Sequence, residues 1–250
     1  MRGVLIQKLL EFRLEVPLEV ATQGEKVPCT VTVKNHGGEP VSLPHISLEL
    51  ALGDLKKVKA KSGDAFTLIS AADFDRSTSL GSGAQAVFTH EFILDRNAPI
   101  SNKAATPYLL YGDAEERTML GQLPLTVTMH PYLRSVFDTF ETVFSFINKG
   151  ESWKDGYTSV KFKAPDLRKL SLVEEMSVGA RFVDESLEVI YAFRIKKFEA
   201  GAQSLNVKKG KAEVVQHWAS SDYLFGGNFI RQEFVEKMIE EALAVVSTGL

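Results

Sequence analysis

In three runs between residues 10 and 50, apolar side chains recur at every second position, and this period limits the fold more than any other feature of the chain. Leu10, Phe12, Leu14 and Val16 alternate with Glu11, Arg13, Glu15 and Pro17. Val27, Cys29, Val31 and Val33 alternate with Pro28, Thr30, Thr32 and Lys34, and Ile46, Leu48 and Leu50 alternate with His45, Ser47 and Glu49. A step of two sends successive side chains to opposite faces of an extended backbone, so each run can bury one face and wet the other. On a helix the same residues would scatter around the axis.

Two further runs repeat the pattern: Phe88, His90, Phe92, Leu94, and Leu123, Leu125, Val127, Met129. Turn formers lie between the runs at Asn35-His36-Gly37-Gly38, Gly53-Asp54, Gly63-Asp64, Gly81-Ser82-Gly83 and Gly112-Asp113. The first of these is read as the turn joining two strands of the stretch 24–43. Pro17 lacks a ladder donor and marks a strand break or an edge. With no helical crossover between the strands, residues 1–130 are expected to form an antiparallel β-sandwich.

After Pro131 the period changes. Leu133, Val136, Phe137, Phe140, Phe144 and Ile147 recur at steps of three and four, with Arg134, Asp138 and Glu141 opposite. The pattern predicts an amphipathic helix over 131–150, opened by Pro131 and ended by Gly150, at the junction of two domains. Strands are expected again at Tyr157–Lys163, Val178–Val183, Leu187–Lys196 and Ala212–Trp218. A last helix, capped by Asn228, has Ile230, Phe234, Met238, Ile239, Ala242 and Val246 as its apolar stripe. That stripe either packs on the C-terminal domain, 151–250, or is offered to a second copy or another protein. The fold class is therefore mainly β, with two antiparallel sandwiches, a linking helix and a C-terminal helix.

Composition narrows the function. A net charge of −3 gives no global basic field to draw nucleic acid. The single cysteine, Cys29, excludes an internal disulfide, which suits a reducing compartment. No run approaches the roughly 20 apolar residues of a membrane span. The opening MRGVLIQKLLEFRLEV is interrupted by Gln7 and Lys8 and is not read as a secretory signal. The expected location is cytoplasmic.

Catalytic patterns do not emerge. The histidines, His36, His45, His90, His130 and His217, have no metal-ligand spacing, and His90 shares the face of Phe88 and Phe92. Asp64, Asp73 and Asp75 do not fit a calcium loop. Ser82 lacks the context of a nucleophile elbow, and Cys29 alternates with inward-facing valines as a small buried hydrophobe would. The glycines in SSDYLFGGNF read as a turn into the last helix. No cofactor, metal site or catalytic residue is expected. Two lysine clusters stand out: Lys56, Lys57, Lys59 and Lys61, and Lys196, Lys197, Lys208, Lys209 and Lys211. They are read either as solvated or edge-protecting charges, or as contacts for acidic partners or phospholipid heads.

Phe92-x-Leu94 followed by Pro99-x-Ser101 and Tyr108 resembles the arrestin-type sandwich, in which an aromatic strand enters a proline-containing loop. GEKVPCTVTVKNHGGEPVSLPHISLEL resembles the early strands of that fold, with Asp95 standing where the arrestin type has proline. LTVTMHPYLRSVFDTFETVFSF, a strand ending at a proline before a helix, is similar to the bacterial sporulation-control family, the arrestin-like Spo-zero-M proteins. The resemblance runs best over residues 9–147. It implies a non-catalytic adaptor or scaffold that works through protein contacts in developmental or cell-division control. Phospholipid binding through the lysine clusters and a ligand-binding sandwich are the alternatives.

Overall fold

The computed structural model describes residues 1–43, 46–74, 79–166, 172–200, 205–226 and 229–247, with the side chains of 118, 197–209 and 247 outside this set. His45, Asp75 and the Asn228 cap therefore lie outside the described residues, as do the side chains of Lys197, Lys208 and Lys209. The chain divides into two compact units, Met1–Thr128 and Met129–Leu250.

The first unit is built on strands β1 (Arg2–Gln7), β2 (Leu10–Glu15), β3 (Val20–Thr22), β4 (Lys26–Asn35), β5 (Val41–Ser42) and β6 (Ile46–Asp54). A short helix α1 (Leu55–Lys59) leads to β7 (Phe66–Ala71), β8 (Ser79–Leu80), β9 (Gln85–Ile93), β10 (Ala105–Asp113), β11 (Gly121–Pro124) and β12 (Thr126–Thr128). Two four-stranded antiparallel sheets, in the orders β1-β2-β4-β9 and β11-β10-β6-β7, enclose the core. The alternation in the sequence is what builds it: Phe12, Leu14, Val27, Cys29, Val31 and Val33 face Leu48, Leu50, Leu109 and Tyr111. The small β3–β12 pair is parallel and adds Ala21 and Val127 to this core.

The turn expected at Gly37-Gly38 is not a hairpin. β4 pairs with β2 and β9, and β5 pairs with β8, so the chain leaves its sheet after Asn35. Asn35 organises that exit. Fully buried, it donates from Nδ2 to the carbonyls of Glu39, Leu80 and Gly81, and its Oδ1 accepts from the Gly37 amide. Its amide dipole satisfies the main chain where the sheet no longer does. Asp95, in the place of the arrestin-type proline, makes the turn by another route: its carboxylate accepts from the Asn97 amide at 2.7 Å.

In the second unit, α2 (Pro131–Thr142) precedes β13 (Ile147–Lys154), β14 (Tyr157–Lys163), β15 (Val173–Val183), β16 (Ser186–Ala200) and β17 (Leu205–Trp218). A one-turn helix α3 (Ser220–Tyr223), a small hairpin β18 (Leu224–Phe225) and β19 (Phe229–Ile230), and α4 (Gln232–Ser247) complete it. The five long strands form one antiparallel meander in sequence order. Val160, Phe162, Met176, Val178, Leu187, Val189, Tyr191 and Trp218 are buried on one face. That face is covered by helices: Phe140 of α2 stacks on Phe162 at 5.0 Å, and Phe234 of α4 meets Trp218 edge-on at 5.6 Å. The mainly-β class stands, but among the described residues the second sandwich is corrected to one sheet under a helical layer. The reason is the two amphipathic stripes, which bury the sheet face that a second sheet would otherwise cover. The C-terminal helix is thus core, with Val235, Ile239, Ala242 and Val246 buried.

Helix α2 stops well short of Gly150. His130 caps its start by accepting from the Tyr132 amide at Nδ1, with Pro131 in the first turn. Near its end the Thr139 and Thr142 hydroxyls donate back to the carbonyls of Ser135 and Asp138. Ser145 then adopts a left-handed backbone (φ 56°), so the chain turns and Ile147 opens β13. Gly150, at φ 144°, forms a β-bulge in that strand.

Candidate interaction surface

The first lysine cluster stands on α1. Asp54 caps this helix, its Oδ1 accepting from the amides of Lys56 and Lys57 at 2.9 and 3.2 Å. Leu55 and Val58 pack down onto a small core of Ala51, Tyr108, Leu110 and Leu120 on the outer face of the β11-β10-β6-β7 sheet. That packing leaves Lys56, Lys57 and Lys59 exposed. The helix ends in a left-handed residue, as many do, but here it is Lys61 (φ 53°) and not glycine.

The cluster is not uniform. Lys57 pairs with Asp64, which also accepts from the Ser62 hydroxyl. The Lys57 ammonium and that hydroxyl hold the Asp64 carboxyl down at about 2, and Asp64 in turn raises Lys57. Lys56, Lys59 and Lys61 have no carboxylate partner among the described residues.

Beside Lys61 lies a cleft of about 720 Å³, with Ala51, Leu110, Leu120, Val58, Phe66 and Leu68 among its walls. At one side Glu49, largely buried, accepts from the Ser47 hydroxyl at 3.1 Å and from Arg117 Nη2 at 2.8 Å on each carboxylate oxygen. Sequence reasoning missed this cleft. Glu49 reads there as the polar half of an alternating strand, and Arg117 is 68 residues away. Only the helical cover over the outer sheet face brings them together.

Strand register brings the positions of the second cluster together. β16 and β17 set Lys196 opposite Lys209, Lys197 opposite Lys208, and Arg194 opposite Lys211. Of these, Arg194 is engaged by Glu175 at 3.3 Å, and Lys161 meets the other oxygen of the same carboxylate at 2.8 Å. These contacts hold the Glu175 carboxyl below its ordinary range, the Lys161 hydrogen bond first. Lys196 is half-buried, and Lys211 is exposed beside this group.

Elsewhere on the sheet face, Glu188 accepts from the Tyr157 hydroxyl and from Arg181 Nε at 2.7 Å, with His217 Nδ1 at 3.6 Å. The Arg181 guanidinium also lies 4.5 Å from the Tyr157 ring centre. This network ties together β14, β15, β16 and β17. Among the described residues no group of three or more His, Cys, Asp or Glu gathers as for a metal ion. None of their helices is long and apolar enough to cross a membrane. Cys29 is buried between the sheets, and burial pushes its thiol up to about 12.

A sandwich of two four-stranded sheets, joined to a five-stranded sheet under two helices, defines a mainly-β protein of arrestin-like fold. Its described surface offers exposed lysines, a cleft and strand edges. Spo0M, a sporulation control protein from Bacillus subtilis, is similar over 95% of this chain and 99% of its own, with a TM-score of 0.67 and 15% identity. The two share the fold. A Pseudomonas fluorescens alkylpurine DNA glycosylase, AlkC, overlaps 45% of this chain and 29% of its own at a TM-score of 0.29 and 16% identity. A CARDB domain from Pyrococcus furiosus overlaps 51% of this chain and 89% of its own, also at 0.29, with 14% identity. Neither partial overlap supports a functional argument. No family model and no curated protein matches the sequence.

Proposed function

We propose that the chain is a non-catalytic regulatory adaptor, which holds protein partners in the cytoplasm as part of developmental control of the sporulation type. The observation behind this reading is the likeness to a sporulation control protein over nearly the whole of both chains. It covers the length of both units, where a shared sandwich alone would be silent about function. The titratable groups agree with it. Glu188, Glu175 and Glu49 are occupied by cross-strand or local ion pairs, and the one thiol is buried.

Affinity capture of the tagged full chain from its own cells tests the proposal, with sporulation efficiency measured after deletion of the gene. Partners that survive at several salt concentrations, and a sporulation or division phenotype, are the expected results. Capture of nothing above background, together with a wild-type developmental course, overturns it. Phospholipid binding is the second reading, favoured by the exposed Lys56, Lys59 and Lys61. It requires binding to anionic vesicles that falls steeply with salt.

A further inference from the structure

We propose that the open edge of β7 and the cleft beside it form one groove for an extended peptide segment of a partner protein, apolar at alternate positions and acidic toward its C-terminal end. This rests on the adaptor reading and gives it a site. β7 is an outer strand of its sheet and pairs only with β6, so one row of main-chain donors and acceptors is unpaired among the described residues. Such edges template strand addition unless they are protected. The other outer strands of the three larger sheets each carry a charge or a proline. β1 has Arg2, which is paired with Glu15, and β9 has Glu91, which is paired with Lys26. β11 ends in Pro124, β13 includes Lys149, Glu151 and Lys154, and β17 is rich in lysine. β7 reads Phe-Thr-Leu-Ile-Ser-Ala, with no charge and no proline; its register against β6 shifts at Ile69, and it leaves Leu68 and Ile69 exposed at 52% and 42%.

The groove also states what it accepts. Phe66 and Leu68, two residues apart on one face of β7, line the cleft. A peptide paired with β7 would send alternate side chains to that same face, over the apolar walls. The cleft's size suits a few such side chains. Charge sets the end and the sign: Arg117 is taken up by Glu49 and Lys57 by Asp64, while Lys61 is left over in the cleft wall with Phe66, and Lys56 and Lys59 on the helix just before it. Every neighbouring pair in this sheet is antiparallel, and an antiparallel peptide brings its C-terminal end to those lysines. The left-handed backbone of Lys61 keeps a cation at a helix end where glycine is usual. A flat bilayer supplies no strand donors and does not fill a concave cleft, so the observations favour a peptide.

The test uses the full chain and fluorescein-labelled peptides with alternating Val or Ile followed by two Glu, with Gln in place of Glu as the control. Saturable binding is expected, weaker for the Gln peptide and for a peptide with Glu moved to its N-terminal end. Lys59→Glu with Lys61→Glu should weaken the Glu peptide about tenfold, and Ile69→Lys, which charges the edge, should weaken both peptides. All three residues are exposed, and circular dichroism checks the fold of each variant. Equal binding to all variants overturns the groove while leaving the adaptor reading intact if captured partners persist. Self-association that Ile69→Lys abolishes, without peptide binding, overturns it in favour of a second copy. Anionic-vesicle binding that needs Lys61, again without peptide binding, overturns it in favour of lipid.

Discussion

The Tyr111 ring makes two glycines in distant strands indispensable, and replacing them one at a time measures the packing of the first unit. Gly121 lies directly across β10–β11 from Tyr111. A Cβ on Gly121 would stand 2.4 Å from Cζ of that ring, and 2.7 and 2.8 Å from its two Cε atoms. A Cβ on Gly3 would reach the same side chain at its hydroxyl, 2.4 Å from the oxygen and 3.0 Å from Cζ. The ring is 3% exposed and belongs to the core between the sheets, so it has little room to retreat. Overpacking of this kind costs about 1–3 kcal/mol. With an unfolding entropy of about 2.1 cal/mol/K per residue over a unit of this length, about 2 kcal/mol lowers the melting midpoint by about 7 °C. The two substitutions differ in what relieves them. Tyr111→Phe removes the hydroxyl that Gly3→Ala strikes, so it should recover much of that loss. It leaves the ring carbons that Gly121→Ala strikes, so it should recover little there. Thermal melts by circular dichroism of the two alanine variants, each with Tyr and with Phe at 111, decide the matter. A Gly121→Ala protein that melts with the wild type, or equal rescue of both variants by Phe, refutes the packing described.

Three further outcomes follow from particular contacts. Gln216 accepts from the Tyr191 hydroxyl and Trp218 Nε1 and donates to the Met238 carbonyl of α4, so Gln216→Ala strands two buried donors. It should cost about 2–4 kcal/mol, read as a lower urea midpoint by tryptophan emission, and an unchanged midpoint counts against the network. Cys29, its thiol raised to about 12 by burial, should react with a thiol reagent at pH 8 roughly a thousandfold more slowly when folded than in urea, and rapid native labelling contradicts that. Glu188 is held below its ordinary 4.5, first by the Tyr157 hydroxyl and then by Arg181, so the folded state binds its proton less tightly than the unfolded one. The stabilisation is complete above pH 4.5 and is lost as pH falls through the lower folded value. Glu188→Gln should therefore lose less stability on acidification than the wild type, and parallel pH profiles of the two proteins rule this out.

The strands were the most legible part of the chain. Leu10 to Val16, Val27 to Val33 and Leu187 to Ile195 alternate because each strand has one buried and one wet face, a local constraint written in consecutive residues. β6 hides more, since Ser47 and Glu49 are buried as well as Leu48 and Leu50. Its outer face is covered by α1 and the turn bearing Arg117, and no period within β6 records that cover. The lysines of α1 were visible as a cluster, but which of them is neutralised depends on Asp64 returning across the helix end. In the second cluster, cross-strand register sets Lys196 opposite Lys209.

Alone, the amino-acid order determined that the first half would be extended strands with turns, and that two amphipathic helices would follow Pro131 and close the chain. Period and turn chemistry act over a few residues, so they can be read without knowing what lies opposite. Tertiary structure decided which strands became neighbours, that Gly37-Gly38 leads out of a sheet and not back into it, and that helices cover the second sheet. It also left β7, among the described residues, with an open edge beside the cleft that Lys61 borders. Those outcomes depend on contacts between residues far apart in the chain, made only when competing pairings are weighed against burial of the whole core.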